Sequence, residues 1–187
     1  MNIGLQDLAF NNEHGQRNIN VKDLTNSGER STINVGQSTI DNNYGVSNIA
    51  MGTATNSGYG SVMNIGLLQN LQAQGGQHNI NVDAVNSSAM KGQVNVGTSA
   101  LKKGETQNIH IGNYNSNGFK THDTIGAKGG EGHQNIQIGK ITAAGMDTVM
   151  DIWLLWTTFI WSICEYKSIN TFILVNQITI LKVKVNS

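Results

Sequence analysis

Apolar and polar residues alternate in a short phrase that returns along the chain. In Gly132-His133-Gln134-Asn135-Ile136-Gln137-Ile138-Gly139, two Ile flank a polar residue and a glycine follows. The phrase returns as Gly45-Val46-Ser47-Asn48-Ile49-Ala50-Met51-Gly52. With the first apolar residue as marker, pairs fall at Ile19/Val21, Ile33/Val35, Ile49/Met51, Ile65/Leu67, Ile80/Val82, Val94/Val96, Ile109/Ile111 and Ile136/Ile138. Ile3/Leu5 is an N-terminal member and Asp123/Ile125 a degenerate one. Successive markers lie 13–16 residues apart.

Three or four residues of period two suit a strand with one buried face and are too few for an amphipathic helix. Glycines supply corners after the strand (Gly36, Gly52, Gly97, Gly112, Gly126, Gly139) and ahead of it (Gly15, Gly28, Gly45, Gly60, Gly104, Gly118, Gly132). The pattern predicts an all-β fold, a parallel β-solenoid or β-roll with coils of about 14–16 residues. Nine or ten such coils at ~4.8 Å each would make a rod on the order of 45 Å long.

The polar positions repeat too. Between the apolar pair stand Asn20, Asn34, Ala50, Gly66, Asn81, Asn95, His110, Thr124 and Gln137. Before the marker stand Asn18, Thr32, Asn48, Asn64, Asn79, Gln93, Asn108, His122 and Asn135. Stacked amides can hydrogen-bond along such a rod. An Asn ladder of this kind either holds the coils in register or forms a binding face, for which Asn20, Asn34, Asn81, Asn95, His110 and Gln137 are the candidates.

The pattern lapses after Gly145, which divides the chain into a repeat domain over 1–145 and a tail over 146–187. The tail opens with an apolar run from Ile152 to Cys164 that carries all three Trp. The run is shorter than the ~20 residues a spanning helix needs. Farther on, Ile178-Thr179-Ile180-Leu181-Lys182-Val183-Lys184-Val185 alternates like an edge strand with outward lysines. Three readings stand: a cap over the open end of the solenoid, a segment docking on a membrane surface through its Trp, or a mis-framed region.

Composition narrows the function classes. Among 187 residues, Lys+Arg and Asp+Glu number 12 each, and a zero net charge argues against a nucleic-acid partner. Charged residues make up 13%, so Asn, Gln, Ser and Thr must solvate the surface. There are 22 Gly and no Pro, which fits tight corners joined to strands that need every backbone N–H. Cys164 is the single cysteine, so neither an intrachain disulfide nor a thiolate cage is available. Met1-Asn2-Ile3-Gly4-Leu5 lacks the basic and apolar regions of a secretory signal.

Chemical motifs are sparse. Gly129-Gly130-Glu131-Gly132-His133-Gln134 nearly matches a calcium-binding nonapeptide, but Gln134 replaces the liganding Asp. His14, His78 and His133 precede strand phrases several coils apart, which predicts exposed polar histidines rather than a zinc site. No phosphate-binding loop or nucleophile elbow is present, and Asp23, Asp41 and Asp83 fall in separate coils. No cofactor, metal or enzymatic activity is expected.

The Gly-x-x-Asn/Ser-Ile-x-Ile-Gly phrase, with the seven-residue step from Gly97 to Gly104, resembles the YadA-like head repeats of trimeric autotransporter adhesins. The resemblance covers roughly Ile3 to Gly139. It implies a left-handed parallel β-roll that trimerises and presents an adhesive surface to matrix proteins, outside the cell or at its surface. The short Asn-, Val- and Gly-rich coils are more weakly similar to grass ice-binding β-rolls. The expected function is that of a non-enzymatic, adhesin-head-like binding scaffold, a homotrimer or self-assembly, presenting an Asn-rich face to a protein or surface ligand. The alternative is a structural, self-assembling or ice-binding solenoid.

Overall fold

The computed structural model is all-β, with its strands stacked as a parallel solenoid. It describes residues 1–4, 6–11, 15–36, 38–41, 45–66, 68–69, 75–97, 100–127, 129–155, 159–161, 164–166 and 178–185. The first layer is β1 (Asn2–Ile3), β2 (Gln6–Asn11) and β3 (Gln16–Asn26). The next is β4 (Thr32–Val35), β5 (Ser38–Asp41) and β6 (Val46–Asn56), followed by β7 (Val62–Ile65), β8 (Leu68–Gln69) and β9 (Gly76–Ser87). Among the described residues the next two layers show two strands each: β10 (Gln93–Val96) with β11 (Glu105–Ser116), and β12 (His122–Ile125) with β13 (His133–Ala143). The chain ends in β14 (Thr148–Leu155), β15 (Phe159–Trp161), β16 (Cys164–Tyr166) and β17 (Ile178–Val185). One sheet collects the short strands β1, β4, β7, β10, β12 and β14; a second collects the long strands β3, β6, β9, β11 and β13; β2, β5 and β8 form a third.

The register corrects the coil length. Ile19 pairs with Ile49, Ile49 with Ile80, Ile80 with Ile109 and Ile109 with Ile136, partners 27–31 residues apart. The phrase of 14–16 residues is therefore half a turn. A strand with one apolar face needs a second wall to bury it. Consecutive phrases supply the two walls, and their Ile, Val and Met side chains meet in one core. Four turns, not nine or ten coils, separate Ile19 from Ile136, about 19 Å of stacking.

Two marker pairs move as well. Along the short-strand sheet, Ile3, Val35, Ile65, Val96, Ile125 and Ile152 stack in one column, with Ile33, Met63 and Val94 in the neighbouring one. Ile3 and Ile65 are thus second members of their pairs, not first. Gly4 (φ +67°) and Gly66 (φ +77°) follow them in the left-handed region and turn the chain. Gly66 is accordingly a buried corner rather than an outward residue. Leu5 and Leu67 lie outside the described residues, as do His14 and Thr98-Ser99.

Each long strand bends once. Pairing skips Lys22, Gly52, Asp83, Gly112 and Gly139 and then resumes. Past the bend, Leu24, Ala54, Val85, Tyr114 and Ile141 return to the core. The next inward column is polar: Asn26, Asn56, Ser87 and Ser116, all buried. These side chains bind the corner that follows. Asn56 Nδ2 donates to the Ser61 and Gln93 carbonyls, both at 3.1 Å, and Ser61 Oγ donates back to Asn56 Oδ1 at 2.7 Å. Asn26 and Ser31 repeat the arrangement one coil earlier. The amide satisfies corner carbonyls that burial would otherwise strand.

Stacking continues past Gly145. Val149 N donates to the Thr121 carbonyl at 2.9 Å, and Met150 and Ile152 are buried in the common core. Parallel stacking therefore continues into β14. β15 and β16 pair in parallel with β13, and β17 pairs antiparallel with β14, so all three lie over the last coil. The side chains of the Trp-rich run beyond Trp153 and the lysines of β17 lie outside what is described. Among the described residues no helix is long and apolar enough to cross a membrane.

Candidate functional site

Alternation along the long strands sends every second residue outward. In the parallel register, outward residues of successive coils become axial rows. One row is Asn18, Asn48, Asn79, Asn108 and Asn135. In it, Asn48 Nδ2 donates to Asn18 Oδ1, Asn79 to Asn48, Asn108 to Asn79 and Asn135 to Asn108, each at 2.8 Å. The adjacent row is Asn20, Ala50, Asn81, His110 and Gln137, all exposed.

Between the two rows runs a trough of about 510 Å³. Its walls are Asn79, Asn108 and Asn135 on one side and Asn81, His110 and Gln137 on the other. Ile80, Ile109 and Ile136 lie between them and contribute backbone, since their side chains are buried in the core. Outward residues two apart on a strand are separated by about 6.6 Å, and rungs by about 4.8 Å. The trough is therefore narrow across the strands and regular along the axis. Among the described residues that line it, His110 is the titratable one and none carries a fixed charge.

An Asn amide has two N–H donors and a carbonyl with two lone pairs. Each interior Asn of the bonded row uses one donor and one lone pair within the row. One donor and one lone pair per rung remain for a ligand. The surface is thus uncharged and offers donors and acceptors at equal spacing.

Three of the six residues expected from the sequence come together here: Asn81, His110 and Gln137. Asn20 shares their row but lies two rungs away, beyond Ala50. Asn34 and Asn95 belong to the short-strand sheet, on the other side of the core. There Asn34 donates to Asn2 at 3.0 Å, Asn64 to Asn34 and Asn95 to Asn64 at 2.8 Å, and Gln93 Nε2 donates to Asn95 Oδ1 at 3.1 Å. Both walls carry the same phrase, so alternation alone does not separate Asn34 and Asn95 from Asn81, His110 and Gln137. Asn79, Asn108 and Asn135, two residues before Asn81, His110 and Gln137, stand on the same outward face.

Two buried polar clusters lie elsewhere. His78, expected to be exposed, is 2% exposed, with Nε2 3.2 Å from Glu105 Oε1. It stands two residues before Ile80, an inward position, so alternation buries it; His133, one residue ahead of the corresponding place, is exposed. Glu105 Oε2 also accepts from Lys102 N at 2.6 Å. The second cluster centres on Asp123, which takes a core position. Its Oδ1 accepts from Ser87 Oγ and Val94 N, both at 3.0 Å, and its Oδ2 from Ser116 Oγ at 2.7 Å. Burial pushes its carboxyl above the ordinary carboxylate range, against the opposing effect of these donors. The neighbouring Tyr114 hydroxyl is pushed well up by burial and by the Asp123 charge. Comparison with family models, with curated proteins and with solved structures finds no match for this chain.

Proposed function

We propose that this protein is a non-enzymatic binding scaffold that holds an extended, polar ligand of a cell surface or matrix along the amide-lined trough. The supporting observation is the trough itself: two parallel rows of uncharged donors and acceptors over a flat backbone floor. A ligand with a periodic array of hydroxyls or amides meets an Asn at every rung, paired with Asn81, His110 or Gln137. The reading agrees with the adhesin-head resemblance of the repeats. It is tested on arrays of glycans and matrix proteins with the full chain and with the triple variant Asn81→Ala, His110→Ala, Gln137→Ala. A drop in affinity of about tenfold or more at unchanged melting temperature supports it, since each lost polar contact contributes about 0.5–1.5 kcal/mol. Undiminished binding by the variant places the site elsewhere.

A second reading is a self-assembling structural solenoid. Among the described residues β3 is the terminal strand of the long-strand sheet and pairs there with β6, and such an edge templates further pairing. Solution mass by light scattering separates the two: growing polymers favour assembly, and a discrete trimer favours the adhesin-like reading.

A further inference from the structure

The corner between the long and short strands repeats in every coil with an unusual backbone. Arg30, Gly60, Lys91, Lys120 and Asp147 occupy it, all with φ between +49° and +61°. Each N–H in the first four donates to the carbonyl one coil on: Arg30 to Tyr59, Gly60 to Met90, Lys91 to Phe119 and Lys120 to Met146, at 2.7–2.9 Å. Those bonds stack Tyr59, Met90, Phe119 and Met146 into one ridge along the axis. Among the described residues the exposed large hydrophobics are Met1, Tyr59, Met90 and Met146, at 70%, 39%, 48% and 50% exposure. Three of the four are on this ridge.

We propose that this ridge docks the protein on an anionic lipid bilayer surface. The placement fits: Met and aromatic side chains stacked at the corner between strands, three of them exposed, can enter an interface together. The charge fits as well. Lys91 Nζ lies 5.7 Å from the Tyr59 ring centre and Lys120 Nζ 5.1 Å from that of Phe119, so both cations accompany the apolar side chains. Arg30 and Glu29, 4.0 Å apart at one end, offset each other, and Asp147 stands at the other end, which leaves the middle of the ridge positive. Lysine at a left-handed position carries strain that glycine would avoid, as Gly60 does in the same column. Apolar side chains beside lysines bind interfaces through insertion and attraction to anionic headgroups together.

The test is co-sedimentation of the full chain with vesicles of phosphatidylcholine, with and without phosphatidylserine. Binding is expected to the phosphatidylserine vesicles and to weaken with salt. Lys91→Asn with Lys120→Asn keeps residues tolerant of the left-handed region and is expected to lower partitioning roughly 30-fold. Met90→Ser with Met146→Ser is expected to lower it several-fold. Thermal melts verify that both variants are folded. No association of the full chain with anionic vesicles overturns the proposal. So does unchanged binding by both variants, which would assign the membrane contact to the apolar tail. Variants that change the solution mass while the full chain ignores vesicles would give the ridge to a second copy and equally overturn it.

Discussion

Asp123 stands in a column that Ile33, Met63, Val94 and Met150 fill in the other coils. Its presence follows from its neighbours. Asn26 and Asn56 reach the corner carbonyls of the next coil; Ser87 and Ser116 are too short to do so, and the Asp123 carboxylate from the facing strand takes up their hydroxyls. Burial raises its pKa, so the stability this group contributes is complete below the unfolded value of about 3.9 and is lost as pH rises through the higher folded value. Asp123→Asn keeps the acceptor and removes the charge. The variant should match the parent at low pH and melt higher at neutral pH, by about 2–4 °C for each kcal/mol recovered in a chain of this size. Equal melting curves at neutral pH would mean that the three donors fully compensate burial. Gly66 makes a second residue-scale prediction. An added Cβ would come 2.4 Å from Ile80 Cδ1 at φ +77°, so Gly66→Ala should cost about 2 kcal/mol in urea denaturation.

At the scale of elements, the amide rows tie coils together through side chains as well as backbone. Asn108 both donates to Asn79 and accepts from Asn135. Asn18, in the terminal strand, has one partner in its row, Asn48. Asn108→Ala should therefore destabilise by about 1–2 kcal/mol and Asn18→Ala by about half that, the net value of two hydrogen bonds against one. Equal losses would show that the rows act through local strand propensity instead. Inward and outward alternation, parallel stacking and amide contact between coils were all readable from Asn-Ile-x-Ile phrases. The length of a turn was not taken from them, because the two walls of one core demand the same alternation. What distinguishes the walls follows the phrase. Asn26-Ser27-Gly28 with Ser31, and Asn56-Ser57-Gly58 with Ser61, repeat at twice the marker step and mark every second corner. The trough was half visible for the same reason: Asn81, His110 and Gln137 were identified, while Asn34 and Asn95 carry an identical signal on the opposite wall. Asp123 could be seen as an irregular marker, but its partners Ser87 and Val94 lie 36 and 29 residues away, and only the wound chain brings them near.

At the scale of the whole molecule, the coil length determines which changes of length the fold can absorb. Glu105 pairs with Gly76, and the same offset holds to Ser116 and Ser87, with only Gly112 and Asp83 left out of the pairing. Deleting residues 76–104 would join Gly75 directly to Glu105 and remove one full turn. Such a protein should fold, melt cooperatively and keep its strand content per residue by circular dichroism, although its trough would lose the rung of Asn79 and Asn81. Deleting a single phrase of similar composition would send every later strand to the wrong wall, and a long strand with its bend would have to sit among short ones. That product should aggregate or fail to fold. The genetic consequence is a parity rule. The DNA segment that can be duplicated or lost without harm encodes two phrases rather than one, so viable length variants of this protein should differ by about thirty codons at a time.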